Sequence, residues 1–292
     1  MLSSAQPVAP VGRIPFRVTR LDDAVSSTIT AAIDPTSPGE ALRFANAYSV
    51  ASARRDAGYA ALLRSGGINL PDGAPVAWAL RRCGNGAARR VRGPSFFDET
   101  IRRGTEVGLR HYFFGTNDDV LALLVERLKK DVPGVTIVGT FAPDYRSDPD
   151  ELAGQLPAEV TRATVDIVWV GLGSPKQDFV VARIVADRGV TAAGVGAAFD
   201  FAAGTVPQAP RLVQRAGLEW MFRLVSEPRR LWRRYLIGNT VFLGILMRQL
   251  LIRRSPAAPA TRSTTVSPRI RTESVQEPVS SLEELLTPAR RA

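Results

Sequence analysis

Two carboxylates and one short polar run carry the side chains with which this chain could do chemistry. Asp72 stands in Asn69-Leu-Pro-Asp-Gly73, where it is either a turn former or a general base for the proton of an attacking hydroxyl. Asp200 stands in Gly194-Val-Gly-Ala-Ala-Phe-Asp-Phe-Ala-Ala-Gly204, between Phe199 and Phe201. A carboxylate in so apolar a run pairs with a ligand hydroxyl or with a structural partner. Gly171-Leu-Gly173 lies between a strand-like run and a helical one, a geometry in which backbone N–H groups face a phosphate. It is not a dinucleotide fingerprint, because Lys176 or Gln177 stands where the third glycine belongs, and it is not a P-loop. The plainer reading is a tight turn. Lys176 and Gln177 still put two polar groups at a helix start, where a ligand would lie. Asp148-Pro-Asp150 has the spacing of a metal–nucleotide motif, but helix capping explains it and no metal site is expected.

A second cluster is cationic. Between Arg211 and Arg254 ten arginines stand against Glu219 and Glu227 alone, a local excess of eight in a chain whose net charge is +10. Basicity confined to one region points to a phosphate-bearing partner. With Arg229 to Leu236 helical, Arg229, Arg230, Arg233 and Arg234 fall on one arc of roughly 140°, and Leu231, Trp232, Tyr235 and Leu236 on the opposite one. Such a segment suits an anionic membrane surface, with rings at headgroup depth, and it suits a diphosphate, whose oxygens match the guanidinium fork. Nucleic acid is not expected as a partner, since no helix-turn-helix, zinc or RNA-binding aromatic signature accompanies the arginines.

The elements that must position these groups alternate. A strand-like start at Arg17 leads to a helix ending near Ile33, then come a short strand at Ala41 to Ala45 and a helix from Asn46, a natural N-cap, to Arg64. Ile68 to Gly73 reads as loop, Val76 to Arg82 as a short helix, and Gly84 to Arg92 as an exposed stretch. From Phe97 the pattern is regular: helix to Val107, strand His111 to Phe114, helix Val120 to Lys130, strand Val135 to Gly139. A helix Asp150 to Thr161, strand Asp166 to Val170, helix Lys176 to Ala186 and strand Val190 to Val195 complete it. Strands alternating with helices predict an α/β fold, a mostly parallel sheet sandwiched by helices, with ligands beyond the strands' carboxyl ends. The division is a loose, disordered N-terminus at 1–12, a core at 13–210, a basic helical appendage at 211–254 broken at Pro228, and a disordered Ser/Thr/Pro-rich tail at 255–292. Within the appendage Val241 to Met247 is apolar all round, too short to span a bilayer and long enough to dip into headgroups.

The totals exclude several classes. Cys83 is the one cysteine, so there is no intrachain disulfide and a reducing compartment is expected. His111 is the one histidine, which removes His-rich metal sites and leaves a Ser-His-Asp hydrolase only if His111 is its base. Residues 1–20 lack a continuous apolar core, so no signal peptide is expected, and no run reaches the ~20 apolar residues of a spanning helix.

From about Arg43 to Phe242 the chain resembles the WecG/TagA/CpsF bacterial glycosyltransferases. The resemblance rests on Asn46, Asn69-Leu-Pro-Asp-Gly73 with Pro75 and Trp78, Arg90-Val-Arg-Gly93, Val170-Gly-Leu-Gly-Ser-Pro-Lys-Gln177, Gly194 to Gly204, Ala209-Pro210 and Leu218 to Tyr235. It implies an inverting, metal-independent, cofactor-free transfer of a hexose (N-acetylmannosamine, its uronic acid or glucose) from a UDP-sugar. The acceptor implied is a polyprenyl-diphosphate-linked sugar on the cytoplasmic membrane surface. By the same resemblance Asp72 is the base, and Gln177 holds donor sugar or acceptor. Asn46, Asn69, Gly171, Gly173, Lys176, Gly196 and Asp200 line the substrate pocket. Arg223, Arg230 and Arg233 neutralise a diphosphate, and Arg229, Trp232, Arg234 and Tyr235 meet the membrane. Phe44, where the family usually has Thr, and Ser95, where it usually has Asp, depart from the pattern and point to a different sugar. Two alternatives stand beside this reading: a nucleotide-sugar or dinucleotide oxidoreductase on a doubly wound sheet, and a non-catalytic membrane- or nucleic-acid-binding module.

Overall fold

The computed structural model describes residues 7–226 and 228–254, without the side chains of 211, 215, 223, 230, 231, 233–235 and 252–254. The expected tail, 255–292, lies outside the described residues. The chain begins with an antiparallel pair, β1 (Val8–Val11) and β2 (Ile14–Arg17), turning at Gly12. Then follow α1 (Leu21–Ile33), β3 (Ala41–Ala45), α2 (Ala47–Ala53), α3 (Ala57–Arg64), β4 (Ile68–Pro71), α4 (Ala74–Arg82) and α5 (Gly93–Gly104). Regular alternation runs through β5 (Arg110–Gly115), α6 (Asp118–Asp131), β6 (Thr136–Phe141), α7 (Pro149–Gly154), β7 (Ile167–Gly171), α8 (Lys176–Arg188), β8 (Thr191–Gly194) and α9 (Ala198–Ala203). The basic segment forms α10 (Arg211–Arg215), α11 (Glu219–Ser226) and α12 (Pro228–Arg254), the last opening on the proline expected to break it.

Strands β3 to β8 make one parallel sheet in the order β4-β3-β8-β7-β5-β6. Its central strands are apolar runs because helices cover both faces. Leu42, Phe44, Leu70, Phe113 and Trp169 face α1, α5, α6 and α9. Trp169 meets Phe97 edge-on at 4.9 Å and 84°, an arrangement that adds ~0.5–1.5 kcal/mol beyond area burial. On the other face Tyr112, Phe114, Val168 and Val170 pack under α7 and α8. The β1–β2 pair, α2, α3 and α4 build a third cluster, which α12 joins through Phe242 and Leu246.

Five expectations change. Val8–Val11 is a strand rather than loose chain, because Val11 is fully buried against that third cluster. Ile68–Pro71 is an edge strand rather than loop; at an edge the missing N–H of Pro71 costs no ladder bond, and Val91 N–H covers its carbonyl at 2.9 Å. The single helix to Arg64 is two, because the Asp56 carboxylate caps α3 at Tyr59 N–H. The helix after Asp150 stops at Gly154. Gly84 to Arg92 is not uniformly exposed: Ala88 and Val91 are in the core.

Val241 to Met247 is also divided rather than uniformly membrane-dipping. Phe242 and Leu246 are buried, while Leu243 and Met247 face solvent. Gln249 fixes this half of α12 by accepting from Gly12 N–H at 2.7 Å and donating to Pro10 O at 3.0 Å.

Candidate active site

The carboxyl ends of β4, β3, β8 and β7 adjoin in that order, and each releases one of the predicted residues. Asp72 follows β4, its N–H still bonded to Ala45 O at 3.0 Å, and Gly73 at φ +94° turns the chain into α4. Asn46 follows β3. Its Oδ1 accepts from Tyr48 and Ser49 N–H at 3.0 and 3.2 Å, the cap expected from its position. Ala45 and Pro71 are register partners, so Asn46 and Asp72 stand side by side; a β-carbon on Gly73 would lie 3.5 Å from Asn46 Cβ. Asp200 lies on α9 just past β8, partly buried.

Gln177 lies inside this edge rather than on it. It is 4% exposed, and its Nε2 donates to Gly194 O at 2.7 Å and Ser174 Oγ at 3.3 Å. Its Oε1 accepts from Gly173 N–H at 2.9 Å. The side chain is thus a strut between the loops after β7 and β8, with both amide hydrogens committed to protein. The Gly173 amide is correspondingly not offered to a phosphate, which weakens the dinucleotide reading of this loop. Gly196 and Gly194 crowd the same amide, and Gly171 gives way to the Phe199 ring, where a β-carbon would stand 2.5 Å from Cδ2.

Two further predicted residues turn elsewhere. Asn69 is 3% exposed and its Nδ2 donates to Pro15 O at 2.9 Å and Leu63 O at 2.6 Å, so it joins β4 to β2 and α3 rather than lining the pocket. Lys176 Nζ donates to Arg146 O at 2.7 Å and stands 4.4 Å from the Tyr145 ring centre, tying down the loop before α7. Asp148 accepts from Asp150 N–H at 2.8 Å, the expected cap. His111 is at the opposite, amino end of the sheet. It accepts from Trp169 Nε1 at 3.1 Å, and burial holds its pKa down to about 3, so it is no base for chemistry beside Asp72.

Below the strut lies a buried polar group. Tyr59 donates to Asp178 Oδ2 at 2.6 Å, and Arg43 donates to Leu62 O and Gly66 O at 3.0 and 2.7 Å. Burial, then the neighbouring carboxylate, push the Tyr59 phenol above its ordinary range. Asp178 follows Gln177 directly, so these bonds also set the first turn of α8.

Over the carboxyl edge the basic segment forms a roof. A β-carbon on Gly217 would stand 2.6 Å from Ala74 Cβ, and one on Gly238 3.2 Å from the Tyr48 ring, which places the roof beside the starts of α4 and α2. Arg90 and Arg92 bond to Glu219 of α11, and the Arg92 guanidinium lies 5.7 Å from the Phe201 ring centre, one residue beyond Asp200. Sequence reading missed these two arginines as site groups. The signal was the alternation Arg90-Val-Arg92, whose buried Val91 turns both guanidinium groups the other way. Arg229 and Trp232 are exposed. The side chains of Arg223, Arg230, Arg233, Arg234 and Tyr235 lie outside the described residues. No described helix is long and apolar enough to cross a membrane.

The chain is similar to known proteins over most of its length. The model of the glycosyl transferase WecG/TagA/CpsF family matches residues 9–256. A Bacillus spizizenii protein named N-acetylglucosaminyldiphosphoundecaprenol N-acetyl-beta-D-mannosaminyltransferase is 33% identical over 229 residues, covering 78% of this chain and 86% of its own. A protein of the same name from Bacillus subtilis is 31% identical over 187 residues, covering 63% of this chain and 70% of its own. With a family model that spans most of its length and a relative at 33% identity, this chain belongs to the WecG/TagA/CpsF family of glycosyltransferases.

Proposed function

We propose that this glycosyltransferase moves a hexose of the N-acetylmannosamine type from a UDP-sugar to a sugar carried on a polyprenyl diphosphate, in surface-polysaccharide synthesis. The observation that carries the reading is the place of Asp72: a carboxylate at a strand's carboxyl end, beside Asn46, beneath an arginine-rich roof. The names of the two relatives favour N-acetylmannosamine over its uronic acid or glucose.

In this reading Asp72 takes the proton of the acceptor hydroxyl as that oxygen bonds to the anomeric carbon. The bond from that carbon to the UDP oxygen breaks on the opposite face, so the configuration inverts and UDP leaves as an anion. Arg223, Arg230 and Arg233 supply positive charge for the departing diphosphate without a metal. One guanidinium 4 Å from a phosphate charge contributes ~4 kcal/mol at an effective dielectric of 20. Asp200 holds the nucleotide-sugar, and Gln177 acts one step removed, by holding the two loops on which the donor rests.

The lipid acceptor calls for a protein that works at the membrane surface, on its cytoplasmic face. Trp232, Leu236, Leu243, Met247 and Leu251 of α12 are all exposed, and at 100° per residue they fall within an arc of about 100°. An apolar stripe with Arg229 at its N-terminal end and Arg248 beyond one edge fits an interfacial helix. The deciding measurement is UDP release from UDP-N-acetylmannosamine, its uronic acid and UDP-glucose, with a short-chain polyprenyl-diphosphate N-acetylglucosamine as acceptor. Acceptor-dependent release is expected; no release with any of these donors sinks the proposal.

A further inference from the structure

The two ends of the roof are held in different ways. The distal half of α12 is held by burial, through Phe242 and Leu246. In α10 and α11, by contrast, none of the described apolar side chains is fully buried: Leu212, Met221 and Val225 are exposed, and Val213, Trp220, Phe222 and Leu224 are partly buried. Polar contacts add to this partial burial in joining these helices to the core. Glu219 accepts from Arg90 Nη2, and its other oxygen lies 2.8 Å from Arg92 Nε. Arg90 Nη1 also donates to Gln214 O at 3.0 Å, Arg92 Nη2 to Gln208 Oε1 at 3.4 Å, and Gln214 Nε2 to Ala209 O at 2.7 Å. The side chains of Arg90, Arg92 and Glu219 are 21%, 12% and 16% exposed, so water screens these charges less than on open surface.

We infer that Glu219 is a positioning residue: by clasping Arg90 and Arg92 it sets α10 and α11 over Asp72 and Asp200. An open clasp releases the segment between Pro210 and the buried half of α12. Val91, between the two arginines, is wholly buried and its N–H is bonded to Pro71 O, so the core side of the clasp is fixed to the strand that Asp72 follows. The consequence for catalysis rests on the reading of that edge as the active site.

The test uses the full chain with Glu219→Gln, Glu219→Ala, Arg92→Glu and the charge-reversed pair Glu219→Arg with Arg92→Glu. Chymotrypsin, which cuts after Trp220 and Phe222, reports roof release with no sugar present. Each single variant should be cut about tenfold faster or more, with the thermal transition of the core near that of the parent. The reversed pair should recover part of the parent's resistance. In turnover, the clasp variants should raise KM for the UDP-sugar by more than they lower kcat. Parent-like cleavage of Glu219→Gln overturns the clasp, as does fast cleavage that the reversed pair leaves unchanged. If Glu219→Ala does not fold, the isosteric Gln variant decides. Because cleavage is read without substrate, a confirmed clasp with no UDP release counts against the proposed reaction and leaves the clasp standing.

Discussion

Gln177 and Gly194 belong to different βα units, yet the Gln177 amide donates to the Gly194 carbonyl at 2.7 Å and locks the loop after β7 to the end of β8. The same side chain takes the Gly173 N–H. The side chain expected to hold donor sugar or acceptor thus has its amide committed to two loops of the protein.

Replacing Gln177 with Leu therefore removes the bonds it makes to the Gly194 carbonyl, the Gly173 N–H and the Ser174 hydroxyl. The variant should lose ~1–3 kcal/mol of stability in denaturant unfolding, along with turnover. Parent stability with turnover abolished would put Gln177 on the substrate after all.

Asp72→Asn keeps the shape and removes the proposed base. Turnover should fall by about 10²–10⁴ while UDP binding, followed by calorimetry, changes little. Near-normal turnover would take the base role away from Asp72.

His111 gives a pH signature of the fold. Its folded pKa is held down to about 3 against 6.5 for the free side chain. The unfolded chain therefore binds the extra proton first, and His111 takes stability away as pH falls from 6.5 toward 3. The slope approaches ~1.4 kcal/mol per pH unit once pH is well below 6.5. His111→Phe should flatten that part of the stability–pH curve relative to the parent, leaving the slope from carboxylates common to both. Parallel curves would mean that His111 is not buried neutral.

Neighbouring residues of α12 should separate membrane binding from folding. Leu243→Ser with Met247→Ser should weaken sedimentation with anionic vesicles and leave the thermal midpoint nearly unchanged. Leu246→Ala, on the buried side, should cost ~2–5 kcal/mol of stability. Vesicle binding unchanged in the double variant would remove the stripe from the interface. Cutting the chain after Pro210 cannot make this distinction, since it also uncovers the apolar surface that Phe242 and Leu246 fill.

On the proposed metal-free mechanism, in which the roof arginines supply the positive charge, excess chelator should leave turnover within about twofold. Loss of activity that Mg²⁺ restores would replace that mechanism.

Local pattern determined much of this protein. Periodicity placed the alternating strands and helices from Phe97 to Val195, because runs such as Asp166 to Val170 report burial on both faces without reference to any distant residue. Parallel strands put a ligand edge at their carboxyl ends, which draws attention to Asp200 after the strand Val190 to Val195; Asp72, read in a loop, is singled out by its motif. The motif order carried the family. Tertiary structure decided the rest, wherever a partner lies far along the chain. Ile68–Pro71 looks like loop until β3 pairs with it, and Val8–Val11 looks loose until the third core cluster buries it. Phe242 and Leu243 are equally apolar, and only the groove between the first hairpin and α2 selects Phe242 for the core. Gln177 turns inward because Gly173 and Gly194 present an N–H and a carbonyl at the span of one amide. Glu219 finds Arg90 because the roof folds back across 129 residues of chain. One-dimensional spacing fixes which face of an element is apolar; which polar groups are left to meet one another depends on how those faces are packed.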